Sequence, residues 1–154
     1  MSDMEETLRN LSVELRLLEG TANTLQNRVG FVDAALREFR MANETLEGVE
    51  KEKEGASFFV PIGGGSFIKA ALLSADKVIV GIGAGVSVEK TVVEAKDGLG
   101  KRIKDFEKTR ESIQQQLSQV IQRLEEDRSR FQELAAKLSE EEKATGVRKA
   151  QRGP

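Results

Sequence analysis

Two heptad stripes of similar length flank a glycine-rich segment, and this layout constrains the fold more than any single residue. The first stripe runs from Leu8 to Leu46 and the second from Leu99 to Leu138, and in both the steps alternate between three and four residues. A repeat that averages 3.5 residues keeps one seam facing a partner helix, as in coiled coils. Because the stripes match in length, we predict that the two helices pair antiparallel within one chain.

Three polar residues interrupt the stripes, namely Asn43 in the first and Arg110 and Asp127 in the second. A polar seam residue can fix the register of a coiled coil. Alternatively, its side chain can reach water past the edge of a two-helix seam. We favour the second interpretation for all three.

The net charge of −2 hides an asymmetry between the two predicted helices. Residues 1–54 carry seven basic and twelve acidic side chains, whereas residues 99–154 carry thirteen basic and ten acidic ones. Charges beside a seam select partner and orientation, so this asymmetry supports pairing within the chain, although uneven scatter over two solvated faces explains it equally well. Only the last residues are basic, which argues against nucleic-acid binding.

The composition argues against an enzyme. The chain has no Cys, His, Trp or Tyr. A zinc or transition-metal site is therefore not expected, and any catalytic acid or base would have to be Asp, Glu or Lys. We expect no cofactor and no metal. The lack of Cys fits the reducing cytoplasm, and no signal peptide or apolar run of bilayer-spanning length is visible, so we expect no membrane association.

The periodicity changes between the stripes, where short apolar runs alternate with glycine turns. This pattern predicts two β-hairpins in series, with turns at Gly63–Gly65 and Gly83–Gly85. The segment Gly81–Val86 resembles half of a dinucleotide-binding motif, but it lacks the third glycine and precedes a strand rather than a helix. Tight turns explain both glycine clusters better.

These patterns predict four regions: an N-terminal coiled-coil helix over 1–54, a double β-hairpin oligomerisation region over 55–88, a C-terminal coiled-coil helix over 89–143, and a disordered basic tail over 144–154. Two small hairpins cannot bury their own apolar side chains, and their edges are unpaired. We therefore expect them to join hairpins of other subunits in a closed barrel or sandwich. The expected oligomerisation residues are Phe58, Phe59, Val60, Ile62, Phe67, Ile68, Val78, Val80, Ile82, Val86 and Val88.

The opposite end of the predicted coiled coil is a second candidate surface. In the expected register, Leu8 lies opposite Leu138 and Leu11 lies near Leu134. The last turn of a coiled coil has no further turn to cover its seam, so apolar residues there form a candidate contact surface, unless they simply fray. This tip comprises Met4, Leu8, Leu11, Val13, Phe131, Leu134 and Leu138.

The two hairpin sequences, Phe59–Ala70 and Lys77–Lys90, resemble those of archaeal prefoldin alpha subunits, and the resemblance extends from the first helix to about Leu138. It implies an α+β fold: a long antiparallel two-helix coiled coil with two central β-hairpins that assemble into an oligomeric β-barrel hub. It also implies a hexamer with prefoldin beta subunits, two alpha and four beta. Such hexamers hold unfolded client proteins at the coiled-coil tips without ATP and pass them to a group II chaperonin.

A different class of function stays open on the sequence alone. A structural or adaptor coiled coil would bind one folded partner in fixed stoichiometry and show no preference for unfolded chains. An enzyme is the third and least favoured alternative.

Overall fold

The computed structural model describes residues 2–151. The first helix, α1 (Asp3–Glu50), begins at a cap in which two residues exchange hydrogen bonds. The Glu5 amide donates to Ser2 Oγ at 3.3 Å, and the Ser2 amide donates to Glu5 Oε2 at 3.2 Å. This capping box satisfies two amides that the first helical turn leaves without partners.

The second helix, α2 (Val92–Gln151), begins at a cap of the same kind. The Glu94 amide donates to Thr91 Oγ1 at 3.1 Å, and the Thr91 amide donates to Glu94 Oε2 at 3.3 Å. The preceding strand runs to Thr91, so the helix starts three residues later than the predicted boundary at 89. The sequence Thr91-x-x-Glu94 is a start signal that sequence reasoning missed.

The other end of α2 also differs from the sequence prediction. A disordered tail was expected from residue 144, but the helix continues to Gln151, and residues 152–154 lie outside the described residues. Residues 141–151 are all exposed, so local propensity rather than packing maintains the helix there. Ala, Arg, Lys and Gln favour helices, and Gly146 alone costs only about 1 kcal/mol against Ala.

Between the helices lie four strands: β1 (Ser57–Gly63), β2 (Ser66–Ala71), β3 (Lys77–Gly83) and β4 (Val86–Thr91). β1 pairs with β2, and β3 pairs with β4, both antiparallel. Over the described residues the strands form two separate two-stranded sheets and no closed barrel. The predicted class of two long helices with two small β-hairpins is confirmed.

The chain divides into two compact units. The first combines residues up to Phe31 with residues from Arg110 onward, and the second is Val32–Thr109. The predicted stripes supply most of the buried residues, and Val92 and Ala95 at the start of α2 add two more. Leu11, Ala22, Leu25, Ile113 and Leu124 are buried in the first unit, and Val32 and Leu36 are buried in the second.

Ion pairs across the seam show the register of the first unit. Arg123 Nη2 lies 2.9 Å from Glu14 Oε1, and Arg128 Nη2 lies 2.8 Å from Glu19 Oε1. The first pair flanks the seam on one side and the second on the other. We infer that Leu11 faces Phe131 and Leu8 faces Leu134, one helical turn from the expected register.

The second unit joins its helices through aromatic and ionic contacts. The Phe39 and Phe106 rings stack with centroids 5.4 Å apart, and the Arg102 guanidinium lies 5.7 Å from the Phe39 centroid. Near the hairpins, Lys96 Nζ lies 2.8 Å from Glu50 Oε2, and this hydrogen bond raises the pKa of Lys96 above its usual value.

Candidate assembly and client-binding surfaces

The two hairpins have the same backbone geometry, 20 residues apart. In each, the register shifts just before a two-residue turn, at Pro61/Gly63 and at Gly81/Gly83. Gly63 and Gly83 have φ values of 101° and 107°, a region that side chains rarely allow. The following turn residues, Gly64 and Ala84, are also left-handed, at 57° and 51°. Three of these four residues are glycines, which allow positive φ, and the chain forms the same bulged hairpin twice.

Hairpin β1–β2 exposes apolar side chains on both faces. Val60 pairs with Ile68 on the face that also carries Phe58, and all three are exposed. On the other face, Phe59 and Phe67 meet edge to face with centroids 6.5 Å apart, and both remain more than 60% exposed. Exposed apolar surface of this density is typical of an interface rather than of a free surface.

Hairpin β3–β4 is covered on one face only. Val78, Val80 and Val88 are half-buried, and the first two line the same groove as Phe39 and Leu46 of α1. The opposite face carries Ile79, which is 78% exposed and does not belong to the predicted oligomerisation residues. Because successive side chains of a strand point to opposite faces, Ile79 faces away from Val78 and Val80.

The predicted oligomerisation residues thus fall into two groups. The three valines Val78, Val80 and Val88 are half-buried within the chain. The others are exposed and lie on the strands or next to the turns: Phe58, Phe59, Val60, Ile62, Phe67, Ile68, Ile82 and Val86.

The predicted tip residues differ in how much of each side chain is exposed. Leu11 is only 4% exposed, because it lies in the seam, whereas Val13 is 52% exposed on the outer side of α1. The remaining five are half-buried: Met4, Leu8, Phe131, Leu134 and Leu138. The tip is therefore a short apolar seam with partly open edges.

Two further observations bear on other classes of function. No helix over residues 2–151 is long and apolar enough to cross a membrane. Within the same residues, no cluster of three or more acidic side chains is arranged to hold a metal ion.

Two long paired helices joined by two small β-hairpins with exposed apolar side chains define the class of this protein. Comparison with known proteins agrees with this class. The family model described as prefoldin subunit matches residues 2–137. The chain belongs to the prefoldin family.

Curated relatives extend the similarity over most of the chain. The prefoldin subunit alpha of Pyrococcus horikoshii is 31% identical over 140 residues, which cover 90% of this chain and 95% of the relative. The prefoldin subunit alpha of Methanosarcina barkeri is 36% identical over 121 residues, covering 77% and 84%. In a solved structure of filamentous prefoldin from Methanocaldococcus jannaschii, one chain matches with a TM-score of 0.63 and 24% identity, covering 73% of this chain and 93% of that one. This structure supports the fold.

Proposed function

We propose that this chain is an alpha-type prefoldin subunit whose hairpins form a β-barrel hub with prefoldin beta subunits, in a hexamer of two alpha and four beta chains. The observation that carries the proposal is the exposed apolar surface of both hairpins, which a lone chain leaves in water. Burial against like hairpins would cover this surface and pair the open strand edges.

We further propose that the assembly works in the cytoplasm as an ATP-independent holdase, without catalysis, and delivers unfolded proteins to a group II chaperonin. The tip offers only a small apolar surface in each subunit, so one contact would be weak. Several tips tethered to one hub raise the overall affinity through effective concentration. The half-buried edges of Met4, Leu8 and Leu138 support client contact at this end of the first unit.

Removal of residues 1–11 and 134–154 should abolish most of the suppression of client aggregation. The deletion takes away five of the seven tip residues, and with them the proposed multivalent contact. We would mix the chain with an archaeal prefoldin beta subunit, dilute reduced and denatured lysozyme into the assembly, and follow light scattering without ATP.

A matched truncation separates the tip from mere helix length. Deleting residues 144–154 removes exposed helix but no seam residue, and it should leave suppression unchanged. Equal suppression by the longer truncation and the full chain would show that the tip assignment is wrong. A fixed-stoichiometry complex with one folded protein, without any effect on lysozyme, would favour the adaptor alternative.

A further inference from the structure

One side of the paired helices in the first unit carries an open groove. Its floor includes the seam residues Leu25 of α1 and Val120 of α2. At its middle, the residues that flank the seam are uncharged, namely Thr21 on α1 and Gln116 on α2. We call this surface the open groove.

The other side of the same helices also carries a groove, but an ion pair crosses it. There, Glu19 and Arg128 lie at the positions that flank the seam, and their ion pair of 2.8 Å spans it. Charged pairs of this kind are the usual cover of a two-helix seam. The open groove lacks such a cover where Thr21 and Gln116 take the equivalent positions, because neither side chain is charged.

The charge of the open groove is positive, although α1 is rich in acidic residues. Arg16 and Arg28 line it, and none of its lining residues is acidic. Neither arginine forms an ion pair with any residue between 2 and 151. The neighbouring acids, Glu14 and Glu19, are engaged by α2. Twelve residues separate the two arginines, or about 18 Å along the helix.

The α1 wall of the open groove includes a residue without a side chain. Gly20 lies in its α1 wall, and a Cβ added there would meet nothing within 4 Å. Leu17, next to it, is 68% exposed and offers an apolar contact at the rim. Small wall residues beside apolar ones allow helix axes to approach to about 8–10 Å.

We propose that the open groove docks an amphipathic acidic helix of a partner protein, as a third strand beside α1 and α2. The apolar face of that helix lies on Leu17 and Val120, above the buried Leu25, and carboxylates along it meet Arg16 and Arg28. The ligand is a folded helix of defined charge, so this site is independent of unfolded-client capture at the tip.

The probe is a synthetic three-heptad peptide with Leu and Ala at the seam positions and Glu at the positions that flank them. Fluorescence anisotropy against the full chain, assembled with a prefoldin beta subunit, should show saturable binding that weakens with salt. Arg16→Gln/Arg28→Gln should weaken it about tenfold, as expected for the loss of two exposed charge pairs. Suppression of lysozyme aggregation, measured in parallel, should not change.

Two matched controls test whether the loss of peptide affinity is specific to the open groove. Arg9→Gln/Arg37→Gln removes the same charge from α1 outside the open groove and should leave peptide affinity within about twofold. Gly20→Gln should block the groove sterically, whereas Gly30→Gln adds the same side chain outside it, where a Cβ also meets nothing within 4 Å. Both glycine variants should raise helix stability similarly, so only a groove-specific effect separates them.

Several results would overturn the proposal. Equal affinity for a peptide with Lys in place of Glu would show that charge does not guide binding. Equal loss of affinity in Arg16→Gln/Arg28→Gln and Arg9→Gln/Arg37→Gln would show that the peptide does not bind in the open groove. Absence of peptide binding would overturn the proposal as a whole. The same holds if the chain binds phosphatidylglycerol vesicles through Arg16 and Arg28 but does not bind the peptide.

Discussion

Lysine at both Val60 and Ile68 is expected to release the chain from its assembly as a folded single subunit. The two side chains are paired directly across β1 and β2 and are exposed in the isolated chain. The hairpin therefore does not need them to be apolar, but an interface does. Each apolar side chain buried on assembly contributes about 1.5–3 kcal/mol, so losing two weakens association at least about a hundredfold.

Native mass spectrometry after mixing with a prefoldin beta subunit tests this expectation. Val147→Lys is the matched control, since Val147 is an exposed apolar residue of α2 outside the hairpins. It should assemble like the unaltered chain, and circular dichroism should show the same helix content for both variants. A double variant that still forms the full hexamer would refute the assignment of this hairpin face to the hub.

Replacing Arg123 by Met is expected to lower the midpoint of thermal unfolding, whereas Asp127→Leu should raise it. Asp127 is a seam residue, is 3% exposed, and receives a hydrogen bond from Arg123 Nε at 3.2 Å. Without Arg123, the Asp127 carboxylate stays buried and loses this partner, which costs about 1–3 kcal/mol. Leucine at 127 instead adds an apolar side chain to the seam, and such replacements of buried ionic groups are often stabilising.

The double variant Arg123→Met/Asp127→Leu completes the test. It should unfold at or above the temperature of the unaltered chain, because no charge remains buried. Arg128→Met is the control, since it removes only the exposed pair with Glu19 and should shift the midpoint little. All variants are compared at one protein concentration, because assembly itself shifts the midpoint. A double variant as unstable as Arg123→Met alone would contradict the account.

The seam was predictable from sequence because a period of 3.5 residues leaves little freedom. Leu11, Leu25 and Leu124 are buried where the stripes place them. The glycine turns were predictable for a similar reason, since positive φ at Gly63 and Gly83 is costly for other residues.

Some misses are local, such as the cap at Thr91 and the helix beyond residue 144, and others depend on contacts between distant segments. We expected the Asp127 side chain to reach water, but it is buried in the seam, where the Arg123 guanidinium one turn earlier in the same helix pairs with it. The predicted register differs from the inferred one by one helical turn, because the stripe positions alone fit several neighbouring alignments. The ion pairs of Glu14 and Glu19 with α2 indicate which alignment the structure has.

The open groove was invisible to sequence reasoning for the same reason. Gln116 and Thr21 are 95 residues apart, and only the observed pairing makes them two walls of one surface. The hub and client contacts stay predictions, since both involve chains other than this one.

The ion pairs of Glu14 and Glu19 with α2 have a consequence for how other molecules approach the chain. They direct negative charge of α1 towards the neighbouring helix, and Arg16 and Arg28 face outwards beside it. Along this stretch α1 therefore has acidic residues paired with α2 and basic residues facing solvent. Its net charge does not describe the electrostatic potential at the solvent-facing side. Orientation of approach, rather than isoelectric point, would then govern encounter rates along this stretch.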